Sequence, residues 1–87
     1  MPNVIADPEK LRDLAKKMSA AGQQLDAMRN QIAKSVANAG WDDSERRRFE
    51  EQIAADLKTV GAVAQRLQSQ YPSILQRKAR ALDEFRR

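Results

Sequence analysis

Apolar residues recur along two long stretches of this chain at intervals of three and four positions. In the first stretch they stand at Leu11, Leu14, Met18, Ala21, Leu25, Met28 and Ile32. In the second they stand at Ile53, Leu57, Val60, Val63 and Leu67. This spacing places them on one side of an α-helix, and several heptads of it are typical of a narrow coiled-coil seam. The pattern therefore predicts two long amphipathic helices that pack along these seams.

The start of the first helix is marked by the segment Asp7-Pro8-Glu9. Aspartate caps free N–H groups, proline has the preset backbone angle of a first helical residue, and glutamate favours the positive end of the helix dipole. We expect the first helix over about 8–38, a turn over about 39–44 and the second helix over about 44–70.

The pattern is interrupted at Tyr71-Pro72. A proline inside a helix removes one hydrogen bond and clashes with a carbonyl of the preceding turn, at a cost of about 3 kcal/mol unless the helix adapts. We expect a further amphipathic helix over about 72–86, either as a kinked extension or as a separate third helix. Gly22 and Gly61 are expected to be tolerated weak spots, since glycine costs about 1 kcal/mol in a helix.

The stretch between the two helices predicts a reversal of the chain. Gly40 can adopt the left-handed conformation that ends a helix, and Asp43 or Ser44 can cap the next one. Trp41 would then lie at the closed end of a hairpin, near Phe49, either as a core plug or as an exposed docking residue. The prediction is an all-α antiparallel helical hairpin, turned at Trp41 and forming one domain over residues 1–87.

Composition removes most catalytic chemistry from consideration. The 87 residues include no cysteine and no histidine, which excludes disulfides, thiolate chemistry, the usual zinc ligands and the commonest acid–base group near neutral pH. Asp42, Asp43 and Glu45 are explained by capping and by the helix dipole. No apolar run approaches the roughly 20 residues of a membrane span. We therefore expect no enzyme activity, no cofactor, no metal and no small-molecule substrate.

The net charge of +4 is concentrated at the end of the chain, where residues 72–87 hold five basic and two acidic residues. A possible basic contact surface consists of Arg77, Lys78, Arg80, Arg86 and Arg87. Nucleic acid is a disfavoured partner, because these residues alternate with apolar ones and no platform of aromatic side chains accompanies them. Contact with an anionic membrane surface stays open. Arg46 and Arg47 are expected to form helical ion pairs with Glu50 and Glu51.

The turn residues also carry a family resemblance. Trp41, Asp43 two positions later and Phe49 eight positions after the tryptophan stand centrally between the helices. Together with the opening segment Val4–Leu11, they resemble the WXG family of small type VII secretion proteins, the early-secretory-antigen-like helical hairpins. The family's glycine two positions after the tryptophan is Asp43 here, a Trp-x-Asp variant.

The resemblance implies a four-helix bundle made of two hairpins, either a homodimer or a pair with a related hairpin. It implies a secreted effector, adaptor or targeting module that resides in the cytoplasm before export without a signal peptide, with a secreted toxin or a secretion ATPase among its partners. The pattern itself favours pairing, because one neighbour covers each long seam only partly. Tyr71 is followed four positions later by Leu75 and not by the acidic residue of the family's export signal. A partner would carry that signal, or the protein acts as a scaffold or adaptor.

Overall fold

The computed structural model describes residues 6–85 and shows a chain built from helices. Helix α1 spans Pro8–Ala37 and helix α2 spans Arg46–Gln65. A π-helical turn, Arg66–Gln70, follows α2 directly and leads into helix α3, Tyr71–Phe85. The predicted all-α class is confirmed, since no strand occurs in this part of the chain.

The helices form a hairpin whose second arm consists of α2, the π-turn and α3. Arg12 near the start of α1 pairs with Asp83 near the end of α3, whereas Arg29 lies against Gly61 of α2, so the two arms are antiparallel. The molecule measures 66 × 21 × 14 Å. Its smallest extent is close to the roughly 10–12 Å diameter of one helix. The hairpin is therefore a single layer of helices.

Local signals at both ends of α1 explain its length. The Asp7 carboxylate accepts a hydrogen bond of 2.9 Å from the Glu9 N–H, and Pro8 is the first helical residue. The helix ends at Ala37, where the Asn38 N–H donates to the Lys34 carbonyl at 3.0 Å. Gly40 then adopts φ +69°, in the left-handed region that glycine enters without strain.

Small residues form the line along which the two arms touch. Pro8, Ala15 and Gly22 are buried at intervals of seven on α1. On the second arm the buried residues are Ala64, Pro72 and Ala79. Within residues 6–85 no large side chain is fully buried. Small residues let two helix backbones approach closely, so the bulkier seam residues lie beside the contact line instead of at its centre.

Gly22 corrects one expectation from the sequence. A Cβ atom there would lie 2.7 Å from the Ala64 carbonyl oxygen and 2.7 Å from Cγ of Gln68. These distances are shorter than any real contact of a Cβ atom, and one of them is to backbone. Gly22 is thus not a tolerated weak spot, because its missing side chain is what allows the arms to meet.

The π-turn shows how the helix passes Pro72. The Tyr71 N–H donates to the carbonyl of Arg66, five residues back. The side-chain amide of Gln68 donates to the Ala64 carbonyl at 3.2 Å. The wider turn lies where a regular helix would bring the Pro72 ring against a carbonyl of the preceding turn. No non-helical residue occurs between Arg46 and Phe85. Of the two alternatives for the C-terminal segment, the structure therefore shows an extension of the second helix.

Candidate protein-interaction face

The closed end of the hairpin, residues 38–45 with the first turn of α2, is organised around two aromatic rings. The centroids of the Trp41 and Phe49 rings lie 5.1 Å apart, with their planes tilted by 53°. This is a favourable arrangement for an aromatic pair. Trp41 is half-buried and Phe49 is exposed. The indole thus covers the start of α2 and is neither a buried core plug nor a free docking residue.

Asp43 connects the indole to the start of α2. Its carboxylate accepts a hydrogen bond of 2.9 Å from the Glu45 N–H, and its carbonyl accepts one of 3.2 Å from the Arg46 N–H. The hydrogen bond with the Trp41 side chain, followed by those from the Glu45 and Arg46 backbone, lowers the pKa of Asp43 below its ordinary value. Asp43 therefore holds the turn that leads into α2, whereas the N-cap residue of α2 is Glu45, which makes no side-chain cap hydrogen bond. The helix begins at Arg46, close to the expected position.

The residues of the predicted seams flank the buried contact line. Leu11, Met18 and Leu25 are half-buried, whereas Leu14, Met28 and Ile32 are exposed. The seam residues of the second arm are all half-buried, namely Ile53, Leu57, Val60, Val63 and Leu67. The hairpin alone therefore leaves a large part of both seams in contact with solvent.

Both exposed seams lie on the same side of the hairpin. Leu14 precedes the buried Ala15, and Tyr71 precedes the buried Pro72. Successive residues rotate by about 100° around a helix, so the preceding residue lies to one side of the contact line. Two right-handed helices that run antiparallel and face each other turn this preceding side in the same direction. The flanking apolar residues of the two arms therefore form one continuous surface.

We call this surface the apolar face. On α1 it consists of Leu11, Leu14, Met18, Leu25, Met28 and Ile32, and on the second arm of Phe49, Val60, Val63, Leu67, Tyr71 and Leu75, with Ile74 at its outer edge. The most exposed of these side chains are Met28 at 56% and Ile74 at 49%. Phe85, at 89% exposure, lies at the open end of the hairpin, where α1 starts and α3 ends.

The opposite side of the hairpin is polar. One position after a buried residue of the contact line stand the exposed residues Lys16, Gln23 and Gln65. Open grooves run along this side, one lined by Arg12, Lys16, Gln76 and Arg80 and another by Asp26, Arg29, Gly61, Gln65, Gln68 and Ser69. We call this side the polar face. The hairpin thus has two faces of different character, because the apolar sides of the two arms point in one direction and their polar sides in the other.

The predicted basic surface is divided between the two sides. Arg77, Lys78 and Arg80 are all exposed, but they lie at different angles around α3, with Arg80 on the polar face. Arg86 and Arg87 lie outside the described residues. Arg46 pairs with Glu50 at 2.6 Å, whereas no pair between Arg47 and Glu51 is recorded among residues 6–85. The basic residues therefore form no single strip on α3.

The structure adds residues that sequence reasoning did not assign to the site. The buried line of small residues went unnoticed, although Pro8, Ala15 and Gly22 are spaced at intervals of seven. Tyr71 and Ile74 join the apolar face because the π-turn continues the helix beyond Gln70. Testing small residues for a heptad period would have found the first signal. The second was visible only in part: Tyr71 stands four positions after Leu67 in the apolar pattern, but the pattern does not show that a π-turn carries the helix past Pro72.

Two further kinds of functional feature, a metal-binding cluster and a membrane-spanning helix, are not found in the described part of the chain. Residues 6–85 contain no cluster of three acidic side chains arranged to hold a metal ion. Among the same residues, no helix combines the length and the apolar character needed to cross a membrane. The apolar face, in contrast, leaves Leu14, Met28 and Ile32 exposed to solvent in the hairpin.

Comparison of the chain with protein-family models, with curated proteins and with solved structures found no match. The resemblance to the WXG family therefore rests on the turn residues and on the helical hairpin. The functions that this resemblance implies remain proposals.

Proposed function

We propose that this protein is a non-enzymatic interaction module that buries its apolar face against a second helical hairpin. The observation that carries the proposal is the imbalance between what is buried and what is exposed. The buried side chains of the described residues are small ones, those of Pro8, Ala15, Ala64, Pro72 and Ala79, whereas Leu14 and Met28 are 42% and 56% exposed. The hairpin therefore needs a partner that covers its apolar face.

The free energy available from burying the apolar face supports the same proposal. Burying a large apolar side chain contributes about 1.5–3 kcal/mol relative to leaving it exposed. A stable domain normally consists of at least two packed layers of secondary structure. This hairpin is a single layer 14 Å thick. A second hairpin placed on the apolar face supplies the missing layer and gives a four-helix bundle.

The biological role proposed for this bundle follows the resemblance to small type VII secretion proteins. It is supported by the position of Trp41, Asp43 and Phe49 at the closed end of a helical hairpin. In this role the protein acts as a secretion substrate, adaptor or targeting factor, paired with a second copy or with a related hairpin. Export without a signal peptide, and association with a toxin or a secretion ATPase, belong to the same proposal.

The pairing is tested by placing a charge on the apolar face. Met28→Glu and Ile74→Glu change exposed side chains of α1 and α3, so the monomer tolerates them, but in a bundle they bury an unpaired charge. We expect both variants to lose association in analytical ultracentrifugation. They should also lose the rise of melting temperature with protein concentration that association produces. Gln23→Glu, on the polar face, is the matched control and should behave as the unmodified protein.

Two outcomes distinguish the partners. A dimer of the unmodified chain assigns the apolar face to a second copy. A monomer that binds an apolar fluorescent dye, with less dye bound by Met28→Glu, assigns the face to a different hairpin. A monomer that binds no dye contradicts the proposal.

A second candidate function is contact of the open end with an anionic membrane. It is favoured by the exposure of Phe85 and Ile74 beside the exposed Lys78, a combination typical of helices that lie in a membrane interface. Co-sedimentation with vesicles containing anionic lipid tests it. Phe85→Ser should reduce vesicle binding without altering the dimer, whereas unchanged binding would exclude this candidate.

A further inference from the structure

The polar face carries a second candidate interaction surface, independent of the apolar face. At the open end, α1 and α3 border an open groove of about 270 Å³ that is lined by Arg12, Lys16, Gln76 and Arg80. Cations from both helices thus converge on one groove. These cations can bind an external anion only where they are not already neutralised within the hairpin.

Arg12 is neutralised and its neighbours are not. The Arg12 guanidinium donates hydrogen bonds to the carboxylates of Glu9 and Asp83. Lys16 lies one helical turn further along α1, and Arg80 lies one turn before Asp83 on α3. Neither takes part in an ion pair recorded among residues 6–85. Lys16 and Arg80 therefore face this groove without an acidic partner. They lie next to Arg12, which already binds two carboxylates.

The polar face continues from these cations into a groove of about 410 Å³ whose lining includes Gln65, Gln68 and Ser69. Amide and hydroxyl side chains both donate and accept hydrogen bonds, as peptide groups do, whereas a phosphate only accepts. The carboxylate of Asp26 lies in this groove and accepts from Arg29 at 2.9 Å. The cation of that lining, Arg29, is therefore already paired. A long polyanion such as nucleic acid needs cations along its whole length, whereas a polypeptide with one acidic end needs them only at that end.

We propose that the polar face binds an acidic polypeptide segment of another protein, with its carboxylates between Lys16 and Arg80 and its polar groups along the glutamine-lined groove. Charge-assisted hydrogen bonds from lysine and arginine orient the acidic end. The bound segment contacts the side chains of Gln76 and Gln68 as it passes along the two grooves. A second hairpin on the apolar face leaves this surface open, so the two interactions are compatible and each can fail without the other.

The binding experiment uses a short fluorescent peptide of glutamate and glutamine, its all-glutamine counterpart and a short oligothymidylate as probes. Anisotropy titrations compare the unmodified chain with the double variant Lys16→Glu and Arg80→Glu. We expect the acidic peptide to bind the unmodified chain at least about tenfold more tightly than it binds the double variant. In an NMR titration the side-chain amide signals of Gln76 and Gln68 should shift.

A matched control carries the same change of net charge at Lys58 and Arg66, both exposed and outside these grooves. The variant Lys58→Glu with Arg66→Glu should change the affinity by no more than about twofold, as expected for remote screened charges. If Lys16→Glu with Arg80→Glu melts at a lower temperature, the neutral pair Lys16→Gln and Arg80→Gln replaces it. Equal loss in the control, equal binding of the all-glutamine peptide, tighter binding of oligothymidylate or unshifted Gln76 signals would each overturn the proposal.

Discussion

The two glycines within the helices face different surroundings. A Cβ atom on Gly22 would collide with the Ala64 carbonyl oxygen at 2.7 Å, and backbone cannot move aside without separating the arms. On Gly61 the nearest atoms would belong to the flexible Arg29 side chain, at 3.3 Å and beyond. The same substitution should therefore have opposite effects at the two positions.

We expect Gly22→Ala to lower the free energy of unfolding by about 1–3 kcal/mol, because the cost of overpacking exceeds the gain in helix propensity. Gly61→Ala should be neutral or stabilising by up to about 1 kcal/mol, since alanine favours the helix and Arg29 can move. Urea unfolding followed by circular dichroism measures both. Equal effects of the two substitutions would mean that α1 and α2 do not meet at Gly22.

Asp43 should make stability depend on pH in the acidic range. Its pKa in the folded protein is lowered, first by the hydrogen bond with Trp41 and then by the Glu45 and Arg46 backbone. The carboxylate therefore stabilises the fold above its ordinary pKa of about 3.9, and this contribution is lost as the pH falls through the lowered folded-state value. The stability difference between the unmodified chain and Asp43→Asn should be present near neutral pH and should shrink below about pH 4.

The measurement is urea unfolding at a series of pH values, followed by the fluorescence of Trp41. The Asn side chain keeps the shape of the aspartate and can still accept the hydrogen bond from the Glu45 N–H, so the comparison isolates the charge. A difference that stays constant down to the acid limit would show that the carboxylate charge does not contribute to the closed end.

At the scale of the helices, the π-turn restores the alignment between the second arm and α1. Ala64 and Pro72 both lie on the buried line although they are eight residues apart, whereas Pro72 and Ala79 are seven apart. The π-turn contains about one residue more than a regular α-helical turn. This extra residue accounts for the difference and keeps Tyr71 on the apolar face.

Removing one residue from the π-turn should therefore be tolerated when the proline is removed as well. Deletion of Ser69 combined with Pro72→Ala should convert the second arm into a regular helix with the same faces, and we expect a melting temperature close to that of the unmodified chain. Deletion of the exposed Lys58 from α2 is the matched control. It rotates the start of α2 by about 100° relative to the rest of the second arm, so it should lower the melting temperature strongly, and similar melting temperatures for the two deletions would refute this explanation of the π-turn.

The helices were predictable from the sequence where their signals are local. Asp7 and Pro8 mark the start of α1 through their own side-chain and backbone preferences. Gly40 adopts the expected left-handed conformation, but in the turn, since α1 already ends at Ala37 with Asn38 as its C-cap. The contact line was not predictable in the same way, because Leu and Met dominate the hydrophobic pattern while Ala15 and Gly22 are what allow the arms to meet. Which residues form the contact line depends on contacts between positions that are distant in sequence.

At the scale of the whole molecule, the two ends of the hairpin carry opposite charge. Residues 41–56 at the closed end hold six acidic and three basic residues. The open end, residues 7–17 with 72–85, holds seven basic and five acidic residues. If two copies pair through their apolar faces, a parallel arrangement brings like charges together, and an antiparallel arrangement brings each acidic closed end beside a basic open end. We therefore expect an antiparallel homodimer.

A single label at the closed end distinguishes the two arrangements. The sequence contains no cysteine, so Ser44→Cys carries one spin label on each copy. In the antiparallel dimer the two labels should be separated by a distance approaching the 66 Å length of the hairpin, whereas in the parallel dimer they should lie within about its 21 Å width. Pulsed electron paramagnetic resonance measures this distance. Adding salt should weaken the dimer, because it screens the attraction between the ends over about 8–10 Å. A short distance, or an affinity that does not change with salt, would show that packing of the apolar faces sets the orientation without help from the charged ends.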